Sequence, residues 1–323
     1  MQFKKLISHA LLAALPLCSA ITLAADVKTI AITQIVEHPA LDSVRKGVID
    51  ELAAKGYLEP DTLKISYESA QGNPTTASQI ARKFIGEEPD VVVAIATPSA
   101  QTMAAASKTV PIVFSAVTDP VGAKLVSNLE KPGKNITGTT DMLPIDEHLK
   151  LVKKIVPTAT RLGTIYNPGE ANSVTLVEMV KSAGDAHGLT VTAVAANKTS
   201  EVLSAAKSLV GKVDVIYLVT DNTVISAVEA VIKVGEQNKL PVIAADTDTV
   251  TRGAIAALGF DYYDVGRQTG ALVVQILSGV APGDLPVKGI SKLDLHLNPG
   301  AAQRMGVNLA PALLESAQKI ISN

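Results

Sequence analysis

The sequence has very few of the residues that build disulfides and aromatic platforms. Its 323 residues include one cysteine, no tryptophan, six tyrosines and four phenylalanines. Because Cys18 lies in an N-terminal segment that we expect to be removed, the mature chain is predicted to have no disulfide, thiolate metal site or cysteine nucleophile. Charged residues make up only 19% of the chain against 47% hydrophobic residues. That balance excludes an intrinsically disordered protein.

The sequence also has no excess of positive charge. Lys and Arg number 29 against 31 Asp and Glu, for a formal net charge of −2. A nucleic-acid-binding protein needs a basic face, so we predict no nucleic-acid partner. After the N-terminal segment, no apolar run approaches the ~20 residues of a membrane-spanning helix. The mature protein is therefore predicted not to be inserted in a membrane.

Common enzyme signatures are absent. No GxGxxG motif follows the first predicted strand, and the two Gly-Lys pairs precede Asn135 and Val213 rather than Ser or Thr, so a P-loop is missing. HExxH and GxSxG motifs are also absent. The histidines are scattered without metal-ligand spacing, and we predict that His148 lies on the exposed face of a helix. We predict no catalytic residue, no metal and no cofactor.

The first 25 residues have the layout of a secretory signal peptide. Two lysines precede an apolar stretch from 6 to 17, and small residues follow up to Ala25. That stretch is too short to span a membrane. Leu17 stands before Cys18, where a lipoprotein signal has a small residue. We therefore expect cleavage after Ala25, no lipidation and a periplasmic location.

The remaining sequence alternates strands with helices in two successive series. The strands are predicted from β-branched runs, the helices from the amphipathic segments between them, and this βαβ rhythm is typical of parallel sheets. We predict an α/β fold with two doubly wound, Rossmann-like lobes. The predicted strands cover 27–36, 63–70, 90–97, 111–117, 161–167, 190–197, 213–221, 241–246, 254–261 and 293–298.

The two halves of the chain share one plan. Residues 89–121 and 213–250 each contain an Asp, a β-branched strand ending in Thr, a helix, and a second strand introduced by Pro. In this alignment Asp90 matches Asp214 and Pro111 matches Pro241. We interpret the match as an internal duplication.

Short polar clusters follow the strands of both halves. In open parallel sheets, ligands bind beyond the carboxyl ends of the strands. Helix capping accounts for part of this polarity, but its concentration in both halves predicts a ligand site. The candidate ligand-binding residues are Gln34, Glu37, Thr97, Pro98, Ser99, Ala100, Val117, Thr118, Tyr166, Asn167, Asp221, Asn222 and Asp246.

Seven stretches along the mature chain carry a family resemblance. They are IAITQIVEHPALDSVRKG (30–47), DVVVAIATPSAQ (90–101), PIVFSAVTDPVGAKLV (111–126), NITGTTD (135–141), GTIYNPGEANS (163–173), VIYLVTDNTV (215–224) and LHLNPGAAQRMG (295–306). In sequence and order they resemble the ABC-transporter substrate-binding family that includes tryptophan- and other aromatic-amino-acid-binding proteins.

This resemblance implies a type I periplasmic-binding fold that closes on its ligand by hinge bending. It further implies a membrane permease of an ABC importer as the partner. We expect hinge crossings near 141–144, 259–261 and 283–287. The expected lobes are an N-lobe of 26–141 plus 262–283 and a C-lobe of 142–261 plus 284–323.

The ligand expected from the resemblance is a free amino acid with an aromatic side chain. Its carboxylate should meet the free N–H groups of Ser99 and Ala100 at a helix start, helped by the hydroxyl of Thr97, Ser99 or Thr118. Its ammonium should meet Asp246, or else Asp221, although capping of the next helix is an alternative role for Asp246.

The other candidates complete this expected pocket. Asn167 and Asn222 would add hydrogen bonds, Gln34 and Glu37 would close the first lobe, and the ligand side chain would pack on Pro98, Val117 and Tyr166. Three alternatives stay open: a sugar or nucleoside stacked on Tyr166, a sensing module that serves a membrane receptor, and an enzyme that uses the cleft.

Overall fold

A computed structural model describes residues 27–289 and 292–322 of the chain. The predicted signal peptide, with Cys18 and the cleavage site, lies outside these residues. Within the two described ranges, no helix is both long enough and apolar enough to cross a membrane.

The described chain alternates between strands and helices as its sequence predicts. The strands are Lys28–Gln34 (β1), Leu63–Ser69 (β2), Val91–Ile95 (β3), Ile112–Ser115 (β4), Ile136–Thr140 (β5), Arg161–Tyr166 (β6), Thr190–Ala195 (β7), Val215–Leu218 (β8), Val242–Ala244 (β9), Ala256–Gly259 (β10), Lys288–Gly289 (β11), Asp294–Leu297 (β12) and Lys319–Ile320 (β13). The α-helices are Pro39–Ala54 (α1), Pro74–Gly86 (α2), Thr97–Ala106 (α3), Ile145–Ile155 (α4), Ala171–Gly184 (α5), Thr199–Leu209 (α6), Asn222–Ser226 (α7), Val228–Asn238 (α8), Asp248–Thr251 (α9), Tyr262–Leu277 (α10), Pro299–Arg304 (α11) and Pro311–Glu315 (α12).

The strands form two sheets that share one strand order. The first sheet runs β2-β1-β3-β4-β5-β11, and the second runs β7-β6-β8-β9-β10-β12-β13. All neighbours are parallel except β10 and β12. The order of the first five strands of each half is the same, as a duplication predicts. The prediction of two doubly wound α/β sheets is confirmed.

The late helix α10 packs on α1 and so returns the chain to the first sheet. The two helices meet through glycines: a Cβ on Gly47 would lie 2.2 Å from the Tyr263 carbonyl oxygen, and one on Gly266 would lie 2.1 Å from the Val44 carbonyl oxygen. Only glycine permits so close an approach of two helix backbones. This contact fixes α10 beside the first sheet, although it follows the second series of strands in sequence.

The chain passes between the two sheets three times. It leaves the first sheet after β5, returns between β10 and α10, and leaves again between β11 and β12. Lys288 and Gly289 still pair with Thr139 and Thr140 of the first sheet, although we had assigned 284–323 to the second lobe. We propose that the two sheets are the cores of two lobes, which we call the first and the second lobe.

Candidate ligand-binding site

A cavity lies between the lobes at the carboxyl ends of the strands. The space there that no atom fills, open solvent included, is about 340 Å³. Four candidates from the sequence line it: Thr118, Asp221, Asn222 and Asp246. The other lining residues are His38, Ala40, Leu41 and Ala116 of the first lobe, Asp141 and Tyr262 at the crossings, and Asn172, Thr220 and Ile225 of the second lobe.

Three buried aspartates determine the charge of the cavity. Asp141, Asp221 and Asp246 are each at most 3% exposed. Burial raises the pKa of all three carboxyls, and the neighbouring Glu170 carboxylate raises that of Asp221 further. No Lys or Arg is among the residues that line the cavity. The site therefore favours a cationic group, whose charge would offset the cost of ionising these carboxyls.

Two of these aspartates are held by hydrogen bonds to nearby hydroxyls. Asp141 accepts from the Thr118 hydroxyl at 3.1 Å and from the Tyr262 hydroxyl at 2.8 Å. Asp246 accepts from the backbone N–H of Thr249 at 2.9 Å and from its hydroxyl at 2.6 Å. Asp246 thus caps α9, as our alternative role predicted, while it also lines the cavity. A carboxylate has about four acceptor positions, so capping leaves room for a ligand.

Asp221 belongs to a network that includes Glu170, a residue that sequence reasoning missed. Asp221 accepts from the backbone N–H groups of Asn167 at 2.5 Å and Val224 at 2.8 Å. Glu170 accepts from the Asn222 amide at 2.5 Å and from the Thr223 hydroxyl at 2.7 Å. These bonds join the loops after β6 and β8, which are about 50 residues apart in sequence, so no local pattern indicates them.

Metal binding gains no support from these acidic groups. Across residues 27–289 and 292–322, no group of three or more His, Cys, Asp or Glu side chains is arranged to hold a metal ion.

Several buried polar atoms around the cavity have no hydrogen-bond partner within the described chain. They are Nδ1 of His38, Oδ1 of Asn172 and Oγ1 of Thr220, which line the cavity, and the side-chain hydroxyls of the candidates Thr97 and Ser99 at the start of α3, which are not among the lining residues. A buried polar group without a partner costs about 1–3 kcal/mol. A bound ligand or an ordered water would supply the missing hydrogen bonds.

The backbone is strained at two of the strand ends beside this site. Ala96 after β3 has φ of 74°, and Ala116 after β4 has φ of 51°. Left-handed backbone is unfavourable for alanine and occurs most often at functional sites. The strain supports a binding role for these two turns of the first lobe.

The structure does not bring all the candidates of the first lobe to the cavity. The N–H of Ala100 donates to the Ala96 carbonyl at 3.1 Å, so the prediction that it is free for a carboxylate is wrong. Gln34 is buried, but its amide is used by Val36, Asp42 and Arg45. These bonds fix the turn after β1 and leave no group of the Gln34 side chain for a ligand.

Three further candidates also lie away from the cavity. Glu37 is exposed and accepts from the Tyr67 hydroxyl and the Gln71 amide. Val117 is fully buried in the core, and Tyr166 is half-buried against it. Neither of the two is among the lining residues. The apolar wall consists instead of Ala40, Leu41, Ala116, Ile225 and the ring of Tyr262.

A second, wider opening adjoins the cavity at Asn222. Its space not filled by atoms is about 1170 Å³, and it too is lined from both lobes. Two candidates, Pro98 and Asn167, lie here rather than in the inner cavity. The amide of Asn167 donates to the Thr223 hydroxyl at 2.9 Å.

Comparison with known proteins agrees with this geometry. The family model of ABC transporter substrate binding proteins matches residues 29–321. A tyrosine-binding protein of Clostridioides difficile (strain R20291) is 43% identical over 271 residues, which are 84% of this chain and 79% of that protein.

Two solved structures allow this chain to be compared with a ligand-bound relative and with a ligand-free, open one. An ABC domain from Streptococcus pneumoniae in complex with L-Trp is 35% identical with a TM-score of 0.89. The ligand-free, open structure of a substrate binding protein with adhesive properties from Clostridium difficile is 38% identical with a TM-score of 0.69. Both matches cover 92% of this chain and all of the other. Because the identities are similar, the higher score indicates that the lobes here are arranged as in the ligand-bound relative.

These matches agree with the two-sheet architecture and with a binding role rather than a catalytic one. The fold is the type I periplasmic-binding fold, and the chain belongs to the family of ABC transporter substrate-binding proteins.

Proposed function

We propose that this protein is the periplasmic binding component of an ABC importer for a free aromatic amino acid. The observation that carries the proposal is the cavity between the lobes, which is lined by the buried carboxyls of Asp221 and Asp246 from the second lobe and of Asp141 at the first crossing. Two relatives support the ligand class, since one is named a tyrosine-binding protein and the other was solved with L-Trp.

The acidic side of the cavity is the binding site for the α-ammonium group. Asp246 and Asp221 come from the second lobe, and Asp141 lies at the first crossing. An ammonium brings three donors and a positive charge, which stabilise carboxylates that burial otherwise holds towards the neutral form. We assign the principal contact to Asp246.

The α-carboxylate is assigned to the start of α3. The hydroxyls of Thr97 and Ser99 are buried there without partners, and the helix dipole favours a negative charge at that end. Thr118 of the next strand end lines the cavity, but its hydroxyl donates to Asp141 at 3.1 Å and has no hydrogen left for the carboxylate. The aromatic side chain would then lie against the apolar part of the lining, which includes Leu41 of the first lobe and Ile225 of the second.

Transport follows from closure of the two lobes on the ligand. A ligand that contacts both lobes favours the closed arrangement, and closure creates the surface that a membrane permease recognises. A signal peptide at 1–25 would deliver the protein to the periplasm. N-terminal sequencing of the periplasmic protein should find residue 26 as the first residue, whereas an N-terminus at a lipidated Cys18 would overturn this part.

Mass spectrometry of small molecules released from the purified protein tests the ligand class directly. We expect an aromatic amino acid among the released molecules, and micromolar or tighter binding when it is titrated back. Release of a sugar or nucleoside, with no binding of tyrosine, tryptophan or phenylalanine, would refute the proposal.

A further inference from the structure

We propose that His38 and Asn172 select a ligand whose side chain carries a hydrogen-bond donor, so that tyrosine and tryptophan bind more tightly than phenylalanine. This inference rests on the proposed function and concerns the part of the ligand beyond its α-carbon. Both residues line the cavity, His38 from the first lobe and Asn172 from the second. They are 8% and 3% exposed, respectively.

Asn172 presents a hydrogen-bond acceptor to the cavity. Its Nδ2 donates to the Thr220 carbonyl at 3.0 Å and lies 3.3 Å from the Ser173 hydroxyl. These contacts fix the amide at the first turn of α5, with its nitrogen directed at the protein. Its Oδ1 is buried and has no partner within the described chain.

His38 presents a second acceptor. Burial lowers the pKa of its imidazole to about 4, and the charge of Arg252 adds to this effect, so the ring is neutral in the physiological range. A hydrogen bond with Asn222 raises this pKa, as expected when the ring donates its single N–H. The remaining nitrogen of a neutral imidazole is an acceptor, and Nδ1 of His38 is buried without a partner.

A phenyl ring offers no donor to these two atoms. Bound phenylalanine would therefore leave both acceptors buried and unsatisfied, whereas a phenol hydroxyl or an indole N–H satisfies one of them. The hydroxyl of Thr220 also lines the cavity without a partner, so it satisfies neither acceptor in this arrangement. We expect tyrosine and tryptophan to bind about 10- to 100-fold more tightly than phenylalanine.

Calorimetric titration of the wild type and three variants with tyrosine, tryptophan and phenylalanine tests this selection. His38→Phe removes one acceptor, and if that acceptor binds the ligand donor, this variant should reduce the preference for tyrosine to less than about 3-fold, mainly by weakening tyrosine binding. Asn172→Leu removes the other and gives a second test if His38→Phe fails to fold. His296→Phe is the matched control, because Nδ1 of His296 is also buried and unpartnered but His296 does not line the cavity.

The outcomes separate this inference from the proposed function. If the wild type binds phenylalanine as tightly as tyrosine and tryptophan, the selection is refuted and the proposed function stands. If both cavity variants keep the wild-type preference, the assignment to His38 and Asn172 is refuted. If the wild type binds none of the three amino acids, the proposed function itself fails.

Discussion

Asp90 in the first lobe and Asp214 in the second occupy the same place in their sheets. Asp90 accepts from the backbone N–H and the hydroxyl of Thr29 at 2.7 and 2.9 Å. Asp214 accepts from the backbone N–H groups of Thr160 and Arg161, both at 2.9 Å. Each aspartate precedes the third strand of its lobe and holds the start of the first strand beside it. At this end of the sheets, the two halves therefore share a similar arrangement of hydrogen bonds.

At the opposite ends of the same strands, the two lobes differ. The first lobe has Thr97 and Ser99 after β3, which are buried and uncharged. The second lobe has Asp221 after β8 and Asp246 after β9, which are buried carboxyls. A zwitterion needs one neutral or positive partner surface and one negative one. We propose that the scaffold was duplicated and that the ends of β3, β8 and β9 then diverged to bind the carboxylate and the ammonium of an amino acid, with Asp141 at the first crossing as a further acidic group.

Replacing the acidic partner should have the largest effect. Asp246→Asn keeps the size of the side chain but removes its charge, and losing one partner of a buried charge pair costs about 2–5 kcal/mol, or roughly 30- to 5,000-fold in affinity. Titration calorimetry with tyrosine measures it. Asp214→Asn, at the other end of the same sheet, should leave affinity unchanged. If Asp246→Asn binds tyrosine as tightly as the wild type does, Asp246 is not the partner of the ligand ammonium.

Replacing a neutral partner should have a smaller effect. Ser99→Ala removes one hydroxyl that donates to the ligand carboxylate, and a hydrogen bond to a charged group contributes about 1.5–3 kcal/mol, or roughly 10- to 100-fold in affinity. Ser107→Ala, just beyond the other end of α3, is the control and should bind as the wild type does. If Ser99→Ala binds the ligand as tightly as the wild type does, α3 does not contribute to the site.

The buried carboxyls that line the cavity should also make binding depend on pH. Because burial raises the pKa of Asp141, Asp221 and Asp246, the ligand-free site retains protons at a pH where ordinary carboxyls have lost them. The ligand ammonium lowers these pKa values, so binding releases protons and affinity rises with pH up to neutrality, by less than about 10-fold per pH unit for each proton released. Calorimetry in buffers of different ionisation enthalpy should detect the release, and Asp246→Asn should reduce it. Proton uptake would contradict the assignment.

Replacing Asp90 or Asp214, at the ends of the strands away from the site, should affect stability but not ligand binding. Asp90→Asn and Asp214→Asn each weaken hydrogen bonds to a neighbouring strand, so each should lower the free energy of unfolding by about 1–2 kcal/mol. Urea denaturation measures this loss, and titration should show no change in affinity. Loss of stability in only one of the two variants would break the equivalence of the halves.

Local patterns were sufficient to predict the fold and the side of the sheets that carries the site. The β-branched run at 90–97 contains β3, and the polar strand ends include Thr118, Asp221 and Asp246, which do line the cavity. Parallel strands place their carboxyl ends at one edge, so this part of the site follows from the strand positions alone.

The direction of individual side chains could not be predicted from the sequence. Gln34 is the last residue of β1, and Glu37 and His38 follow it. Arg45 binds Gln34 and Tyr67 binds Glu37, whereas only His38 lines the cavity. His148, which we predicted to be exposed, is 2% exposed, and its Nδ1 lies 2.5 Å from the Tyr217 hydroxyl. In each case the deciding partner comes from another element, so a single-sequence pattern does not contain it.

The proposal that the site binds both charged groups of one amino acid is tested most directly with ligands that lack either the carboxylate or the ammonium. Calorimetric titration of the wild-type mature protein would compare tyrosine with tyramine, which has no carboxylate, and with 3-(4-hydroxyphenyl)propionate, which has no ammonium. The account predicts that tyrosine binds and that each analogue binds at least about 30-fold more weakly, because a buried partner of each lobe is left without its charge. Equal affinity for tyrosine and either analogue would contradict it.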